Sequence, residues 1–180
     1  MTLGRCFTSL LILSFLLFPK QNASAQSTSI YGSIGLVNYD VGSFVKSDTG
    51  GLICGGFYNF PIKSRLTAGI DVRGSFGLGS GGGAFGGAAL RIGFVPERAP
   101  LRPYFQLGGG VVTTTLHNGE SVRHTSGGAE FAGGLDVRLN DSFDLRAVEL
   151  GAIAGGNQSA GSAFLDAGIV YHLHRRARGH

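Results

Sequence analysis

The chain has 180 residues, enough for one domain of ordinary size, and 32 of them are glycine. Hydrophobic residues make up 43% of the sequence and charged residues only 14%, which excludes a disordered, highly charged chain. The glycines follow no Gly-X-Y period, so a collagen-like triple helix is also excluded. Abundant glycine together with ample apolar residues favours an all-β protein that carries small side chains on one face.

Residues 1–25 have the layout of a cleavable secretory signal peptide. Arg5 precedes a mostly apolar run over residues 7–18, and Ala23-Ser24-Ala25 provides a small-x-small cleavage pattern. The run is shorter than the ~20 residues that a membrane-spanning helix needs. We therefore predict that the mature chain starts at Gln26.

The formal net charge of +4 arises at the two ends of the chain. Two basic residues leave with the signal peptide, and Arg175, Arg176 and Arg178 lie in the last six residues. The body that remains is close to neutral, so a nucleic-acid partner is not expected. Removal of Cys6 leaves Cys54 alone, which excludes an intramolecular disulfide.

Residues 26–174 show the period of two that is typical of β-strands, interrupted at intervals by turn residues. Ile70 and Val72, for example, share one face of a strand, while Asp71 and Arg73 share the other. Eight strands are predicted in this way: Ser29–Tyr39, Gly50–Phe60, Leu66–Phe76, Ala84–Val95, Arg102–Leu116, Thr125–Leu139, Ser142–Ala154 and Ser162–His174. Residues 175–180 form a basic tail after this domain.

The first and the seventh of these strands lack a clean alternation. Ser29–Tyr39 is apolar on both faces, so the sequence does not decide which face points outward. Ser142–Ala154 alternates in its first part and then changes phase at Val148, Glu149 and Leu150, which a β-bulge would explain.

The connections between the strands alternate in length. Those after the second, fourth and sixth strands are short and turn-forming: residues 61–64, 96–101 and 140–141. The other four are longer and rich in Gly, Ser and Asn: residues 42–48, 77–83, 117–123 and 155–161. Short turns at one end and longer loops at the other are typical of outer-membrane barrels.

The polar faces of the strands favour a barrel whose polar side points inward. They hold mostly small residues and a nearly balanced set of charges: Asp71, Arg73, Arg91, Glu130, Asp136, Arg138, Asp144, Arg146 and Asp166. A water-exposed face would carry many Lys and Glu residues, whereas arginine–carboxylate pairs suit a confined interior. Small residues between the charges fit the narrow inside of an eight-stranded barrel, so the apolar face is expected to meet lipid.

The charges on the sixth and seventh strands predict how these two strands pair. A turn spanning residues 139–143 would place Arg138 opposite Asp144. The same turn would place Asp136 opposite Arg146. A three-residue turn would instead oppose Asp136 and Asp144, and like charges that face each other across a ladder destabilise it. We therefore predict the five-residue turn.

Four stretches of the chain carry a family resemblance: residues 102–110, 133–139 and 145–149, and the terminal Asp166-x-Gly168-x-x-Tyr171-x-Leu173. They resemble strands of the small OmpA-like and OmpX-like outer-membrane barrels, and the last is similar to the signal read by the barrel-assembly machinery. The resemblance implies an eight-stranded antiparallel up-and-down transmembrane β-barrel in the bacterial outer membrane. Outer-membrane lipid and the assembly machinery are the implied partners. We expect a monomer with both termini in the periplasm.

Two motifs suggest cofactor or metal chemistry but have simpler explanations. Gly77-x-Gly79-x-x-Gly82 matches a dinucleotide fingerprint, yet the residues after it predict a strand where that site needs a helix. His172 and His174 share one strand face and His180 follows, but no carboxylate or cysteine adjoins them in the sequence. We predict no cofactor and no metal.

His124-x-Ser126 is similar to the His-x-Ser of outer-membrane lipid A deacylases, in which histidine activates serine for attack on an ester. Gly127 follows the serine where that family has asparagine, and we assign no catalytic residue. The sequence therefore predicts a non-enzymatic outer-membrane barrel with a plugged, salt-bridged interior and no conducting pore. The two alternatives are a lipid A ester hydrolase that uses His124 and Ser126, and a soluble periplasmic ligand-binding barrel.

Overall fold

The computed structural model describes residues 27–40, 46–78, 83–96, 99–118, 120–155 and 161–173. They form eight strands: β1 (Ser27–Asp40), β2 (Lys46–Lys63), β3 (Leu66–Gly77), β4 (Gly83–Phe94), β5 (Leu101–Asn118), β6 (Glu120–Arg138), β7 (Phe143–Ala154) and β8 (Gly161–Leu173). The predicted signal peptide and basic tail lie outside the described residues. Within the described part of the chain, no helix is long and apolar enough to cross a membrane.

The eight strands close into one antiparallel barrel in which each strand pairs with its sequence neighbours. β8 returns to pair with β1, and their ladder runs from Thr28 opposite Leu173 to Asp40 opposite Gly161. Closure gives every strand of the wall a hydrogen-bonded partner on both sides. The predicted all-β, eight-stranded, up-and-down antiparallel barrel is confirmed.

The side chains alternate between the inside and the outer surface of the barrel as predicted. On β3, Asp71 is buried in the interior, whereas the preceding Ile70 is exposed on the outer surface. β1 follows the same rule, although its sequence left the outward face open. Ile30 and Ile34 point outward, and Tyr31 points into the barrel.

The two ends of the barrel differ in how the strands are connected. At one end, which we call the turn end, the described chain begins and finishes, and connections join β2 to β3, β4 to β5 and β6 to β7. The connections at the opposite end, the loop end, join β1 to β2, β3 to β4, β5 to β6 and β7 to β8. The strand bounds leave two, six and four residues between the strands at the turn end, and five, five, one and six at the loop end. The predicted contrast between short turns and long loops is therefore wrong for these bounds, because strands extend into segments that were predicted as loops.

Three segments that were predicted as connections belong to strands, and the first, residues 46–48, begins β2 in its ladder with β1. Residues 61–63 extend β2, because its ladder with β3 continues past an irregularity to the last residue of the strand. The prediction of a loop over residues 117–123 is wrong, since β5 runs to Asn118 and β6 begins at Glu120. The dipeptide Asn118-Gly119 is the signal for a tight hairpin, and the threonines before it favour a strand.

The β5–β6 hairpin projects beyond its neighbours at the loop end. β4 pairs with β5 as far as Thr114, and β7 pairs with β6 as far as Ala129. Among the described residues, 115–118 of β5 therefore pair only with β6, and 120–128 of β6 pair only with β5. This projecting part is a two-stranded ribbon rather than a section of the closed wall.

β7 contains the predicted β-bulge. Two consecutive residues of β6 lie opposite Arg146 and Val148, which leaves Ala147 as the extra residue. A regular strand would direct Arg146 and Glu149 to opposite faces, because they are three positions apart. The bulge lets both point into the barrel, where both are buried.

Bulky inward side chains lie over inward glycines of neighbouring strands. A Cβ added at Gly151 would lie 2.1 Å from the Phe164 ring, and one at Gly134 would lie 2.4 Å from the Tyr104 hydroxyl. These glycines make room for the rings in a narrow lumen. Toward the loop end, the buried side chains form an apolar layer: Val37, Ile53, Phe85, Ile153 and Phe164.

Candidate functional site

The inside of the barrel holds the buried charges that the polar strand faces predicted. Nine acidic or arginine side chains of the described residues are almost completely buried: Asp71, Arg73, Arg91, Glu130, Asp136, Asp144, Arg146, Glu149 and Asp166. An isolated charge in such a place would lose its hydration at a large cost in free energy. The arrangement of these side chains must therefore supply opposite charges and hydrogen bonds.

Arg73, on β3, lies among three carboxylates. Its Nε is 3.3 Å from Asp71 Oδ1, and its Nη1 is 3.0 Å from Glu130 Oε1. The same Nη1 also pairs with Glu149 Oε1. Tyr31, on β1, donates its hydroxyl hydrogen to Asp71 Oδ1 over 2.8 Å. One guanidinium thus connects carboxylates from β3, β6 and β7.

The other two buried arginines share Asp136 between them. Arg91 Nη2 donates to Asp136 Oδ2 over 2.7 Å, and Arg146 Nε lies 3.3 Å from Asp136 Oδ1. Arg146 Nη1 also lies 2.9 Å from Glu149 Oε2, a carboxylate that accepts the hydroxyl hydrogen of Tyr104. We call the resulting set the central network: Asp71, Arg73, Arg91, Glu130, Asp136, Arg146 and Glu149.

Aromatic rings cover the arginines of the central network. The guanidinium carbon of Arg91 lies 3.4 Å from the ring centroid of Tyr104 and 4.2 Å from that of Phe57. The guanidinium carbon of Arg146 lies 4.0 Å from the ring centroid of Tyr31. A planar guanidinium can stack on a ring while it donates hydrogen bonds within its own plane. The positive charges of the arginines are therefore compensated both by carboxylates and by ring faces.

The predicted register of β6 and β7 is confirmed. Asp136 lies opposite Arg146, and Arg138 lies opposite Asp144. The first of these pairs forms an ion pair inside the barrel. Arg138 instead pairs with Asp141 in the exposed turn, because it is the last residue of β6 and its long side chain reaches the rim.

The residues of the hydrolase alternative lie on the projecting part of β6. Ser126 has the inward parity of Glu130 and is half-buried, while the side chain of His124 lies outside the described residues. An ester in the surrounding lipid would meet the outer face of this strand. The structure therefore places the Ser126 hydroxyl on the face opposite to such a substrate.

The glycine motif and the C-terminal histidines, which suggested cofactor or metal chemistry, both lie partly outside the described residues. Gly77 ends β3 and Gly83 begins β4. Residues 79–82, between them, do not belong to the described residues. The helix N-terminus that a dinucleotide site needs is replaced there by a strand. His172 points into the barrel, and His174 and His180 lie outside the described residues. Across the described strands, no three His, Cys, Asp or Glu side chains are arranged to hold a metal ion.

Glu149 is the inward charge that the sequence did not assign. It contacts Arg73, Arg146 and Tyr104, and it is fully buried. The sequence signal that could have placed Glu149 inside the barrel is the change of phase in β7. A bulge that follows Arg146 brings the residue three positions later onto the same face. The sequence alone does not show which residue of β7 is the extra one, because that depends on how β7 pairs with its neighbours.

No protein-family model matches the chain, and no curated protein matches its sequence. Among solved structures it is similar to Neisserial surface protein A, with a TM-score of 0.57 and 14% identity, covering 82% of this chain and 99% of that one. The N-terminal β-barrel domain of Pseudomonas aeruginosa OprF gives a TM-score of 0.57 at 14% identity, covering 81% and 97%. Ail, the attachment invasion locus protein of Yersinia pestis, gives 0.59 at 13% identity, covering 84% and 100%. The shared feature is the fold, that of the small eight-stranded outer-membrane barrels.

Proposed function

We propose that this chain is an integral protein of the bacterial outer membrane, without enzymatic activity and without a conducting pore. The observation that carries the proposal is the outer surface of the barrel. Apart from Lys63 at the turn-end rim, no outward position whose side chain is described carries a charge. Large hydrophobic side chains lie there instead, such as Ile34 at 70% exposure and Leu90 at 67%. This surface fits lipid and argues against a soluble ligand-binding barrel.

Replacement of an outward side chain by arginine tests this proposal. Leu107 lies in the middle of β5 and is 62% exposed. We expect Leu107→Arg to lower the free energy of unfolding in phospholipid vesicles by about 2–4 kcal/mol, because a lipid-facing arginine near the midplane is poorly solvated. Denaturant titrations, with the folded fraction read from gel mobility of unheated samples, measure this loss.

The matched control is Ser64→Arg, in the exposed turn between β2 and β3. We expect it to change the free energy of unfolding by less than about 0.5 kcal/mol, as is usual for surface substitutions. Equal losses for the two variants would contradict the assignment of the outer face to lipid.

Two layers of side chains support a closed lumen. The central network joins charges from β3, β4, β6 and β7 across the inside of the barrel. The apolar layer of Val37, Ile53, Phe85, Ile153 and Phe164 lies on its loop-end side. An ion in transit would have to break paired charges and then leave water for an apolar layer, and both steps are costly.

Planar-bilayer recordings of the purified chain at neutral pH test the absence of a pore. We expect no stable open levels above those of detergent alone, because the lumen is filled by side chains. Insertion is verified in the same preparation by the protease resistance of the barrel. Recurrent stepwise openings would remove the non-conducting part of the proposal and leave its membrane location intact.

The proposal places the turn end and both termini of the mature chain in the periplasm. The β5–β6 hairpin, which projects beyond the wall at the loop end, supports this orientation, because outer-membrane barrels carry their longer segments on the extracellular side. Tyr171 and Leu173 of the terminal-strand signal are exposed on the outer surface, where the barrel-assembly machinery could read them. Because the barrel closes within one chain, we assign a monomer. Its partners in this proposal are outer-membrane lipid and the barrel-assembly machinery.

A further inference from the structure

The junction between β8 and β1 is the one place in the barrel that no connection holds. Seven of the eight neighbouring strand pairs are joined at one end by the chain itself, whereas β8 and β1 are joined at neither. β1 begins and β8 finishes at the turn end. Strand ends without a connecting turn are where a sheet opens most easily. Side chains must therefore supply the cohesion that a turn supplies elsewhere.

Four side chains from four strands meet at this junction. Ser29 on β1 lies opposite His172 on β8, and Ser29 Oγ is 2.8 Å from His172 Nδ1. The other ring nitrogen, Nε2, is 2.9 Å from Asp144 Oδ2 on β7. Arg102, on β5, donates from Nη1 to the same oxygen of Asp144 over 2.8 Å. The series of contacts crosses the junction and continues across the mouth of the barrel.

Two kinds of contact make up this series at His172. Nε2 lies within ion-pair distance of the Asp144 carboxylate, and Ser29 Oγ and Nδ1 share one hydrogen bond whose donor depends on the imidazole tautomer. Ser29 and Asp144 are fully buried, while His172 and Arg102 keep only part of their surface in contact with solvent. Polar contacts that are shielded from water in this way are stronger than the same contacts on an open surface.

Beside the junction, two further contacts join β8 to β7 and to the turn before β7. The rings of Phe143 on β7 and Tyr171 on β8 lie 5.0 Å apart between centroids. The backbone N–H of His172 donates to the carbonyl oxygen of Ser142 over 2.8 Å. Ser29 has no exposed surface on which a substrate could approach, so the presence of serine, histidine and aspartate does not make a hydrolytic site. The arrangement serves cohesion.

We propose that Ser29, Arg102, Asp144 and His172 form a seam clasp, a series of side-chain contacts that replaces the missing connection between β8 and β1. The clasp ties the first strand of the barrel to the last, and through Asp144 it ties both to β7 and β5. It holds the turn end of the junction closed, while at the loop end the Ser162 hydroxyl on β8 donates to the Asn38 carbonyl oxygen on β1 over 2.8 Å. This role is independent of whether the barrel conducts ions.

Amide hydrogen exchange of the full mature chain in detergent micelles tests the clasp. We expect His172→Ala and Ser29→Ala to accelerate exchange of the turn-end amides of β1 and β8 about tenfold, because each removes a shielded hydrogen bond. Amides in the β3–β4 ladder should keep their protection. Ser29→Ala removes only a hydroxyl group, so it tests the clasp even where His172→Ala prevents folding.

Thr67→Ala is the matched control, since Thr67 donates to the Gly93 carbonyl oxygen over 3.2 Å between β3 and β4. The chain joins β3 to β4 at the loop end. We expect loss of the Thr67 hydrogen bond to leave the exchange rates of the β8–β1 amides unchanged. Unaltered exchange at the junction in Ser29→Ala would overturn the clasp. So would an equal acceleration of the β3–β4 and β8–β1 amides, which would indicate general destabilisation.

Discussion

Arg146→Met is expected to lower the free energy of unfolding by about 3–5 kcal/mol, because it leaves buried carboxylates with too little positive charge. Arg146 has no exposed surface and lies within ion-pair distance of Asp136 and Glu149. Methionine keeps a similar volume, so the loss reports on charge more than on packing. The chain has no tryptophan, so circular dichroism and gel mobility should follow the denaturant titration.

Arg138→Met provides the comparison within the same pair of strands. Arg138 pairs with Asp141, whose side chain is 80% exposed, and this substitution should cost less than about 1 kcal/mol. A loss at Arg146 as small as that at Arg138 would show that the central network contributes little to stability. The additional change Glu149→Gln in Arg146→Met should recover part of the loss, because it removes one of the uncompensated charges.

Deletion of Ala147 is expected to leave the barrel folded, whereas deletion of Ala89 should abolish folding. Ala147 is the extra residue of the β7 bulge, so its removal restores regular pairing with Arg146 and Glu149 still inward. Ala89 lies in a regular ladder, and its removal would turn one part of β4 inside out. Arg91 or Phe85 would then face the lipid.

The two deletions remove the same residue type, so only the position differs. Folding into vesicles, read as the fraction of chain with altered mobility before heating, measures both. We expect the Ala147 deletion to change the free energy of unfolding by less than about 2 kcal/mol, since no side chain changes face. An Ala147 deletion that fails to fold would show that the barrel requires the local bend of the bulge itself.

Alternation and charge were sufficient to predict most of the barrel. Asp71 and Arg73 could be assigned to the interior because their neighbours Ile70 and Val72 are strongly apolar. The β6–β7 register followed from electrostatics, since a three-residue turn would oppose two carboxylates whereas a five-residue turn opposes unlike charges. In these elements the local pattern and the final packing agree.

Other features depend on contacts between strands that are distant in sequence. Tyr31 and Ile30 are both compatible with either face, and the choice is made by the Tyr31 hydroxyl bond to Asp71 on another strand. The partners of His172 lie on β1 and β7, far away in the sequence. The residues next to His172 in the sequence therefore could not predict the clasp.

The projecting β5–β6 ribbon has a consequence for the depth of the barrel in the membrane that we propose for it. Beyond Thr114 and Ala129, the outer edges of these strands have no ladder partner among the described residues, and backbone N–H and C=O groups along such an edge need bonds to water or to other protein groups. Hydrocarbon cannot offer those bonds, and the upper boundary of the lipid core must lie below this level. Residues 129–138 of β6, paired on both sides, have the length of about 9–11 residues that a tilted strand needs to cross the core. We therefore expect the sequence of one hairpin to set the vertical position of the whole protein.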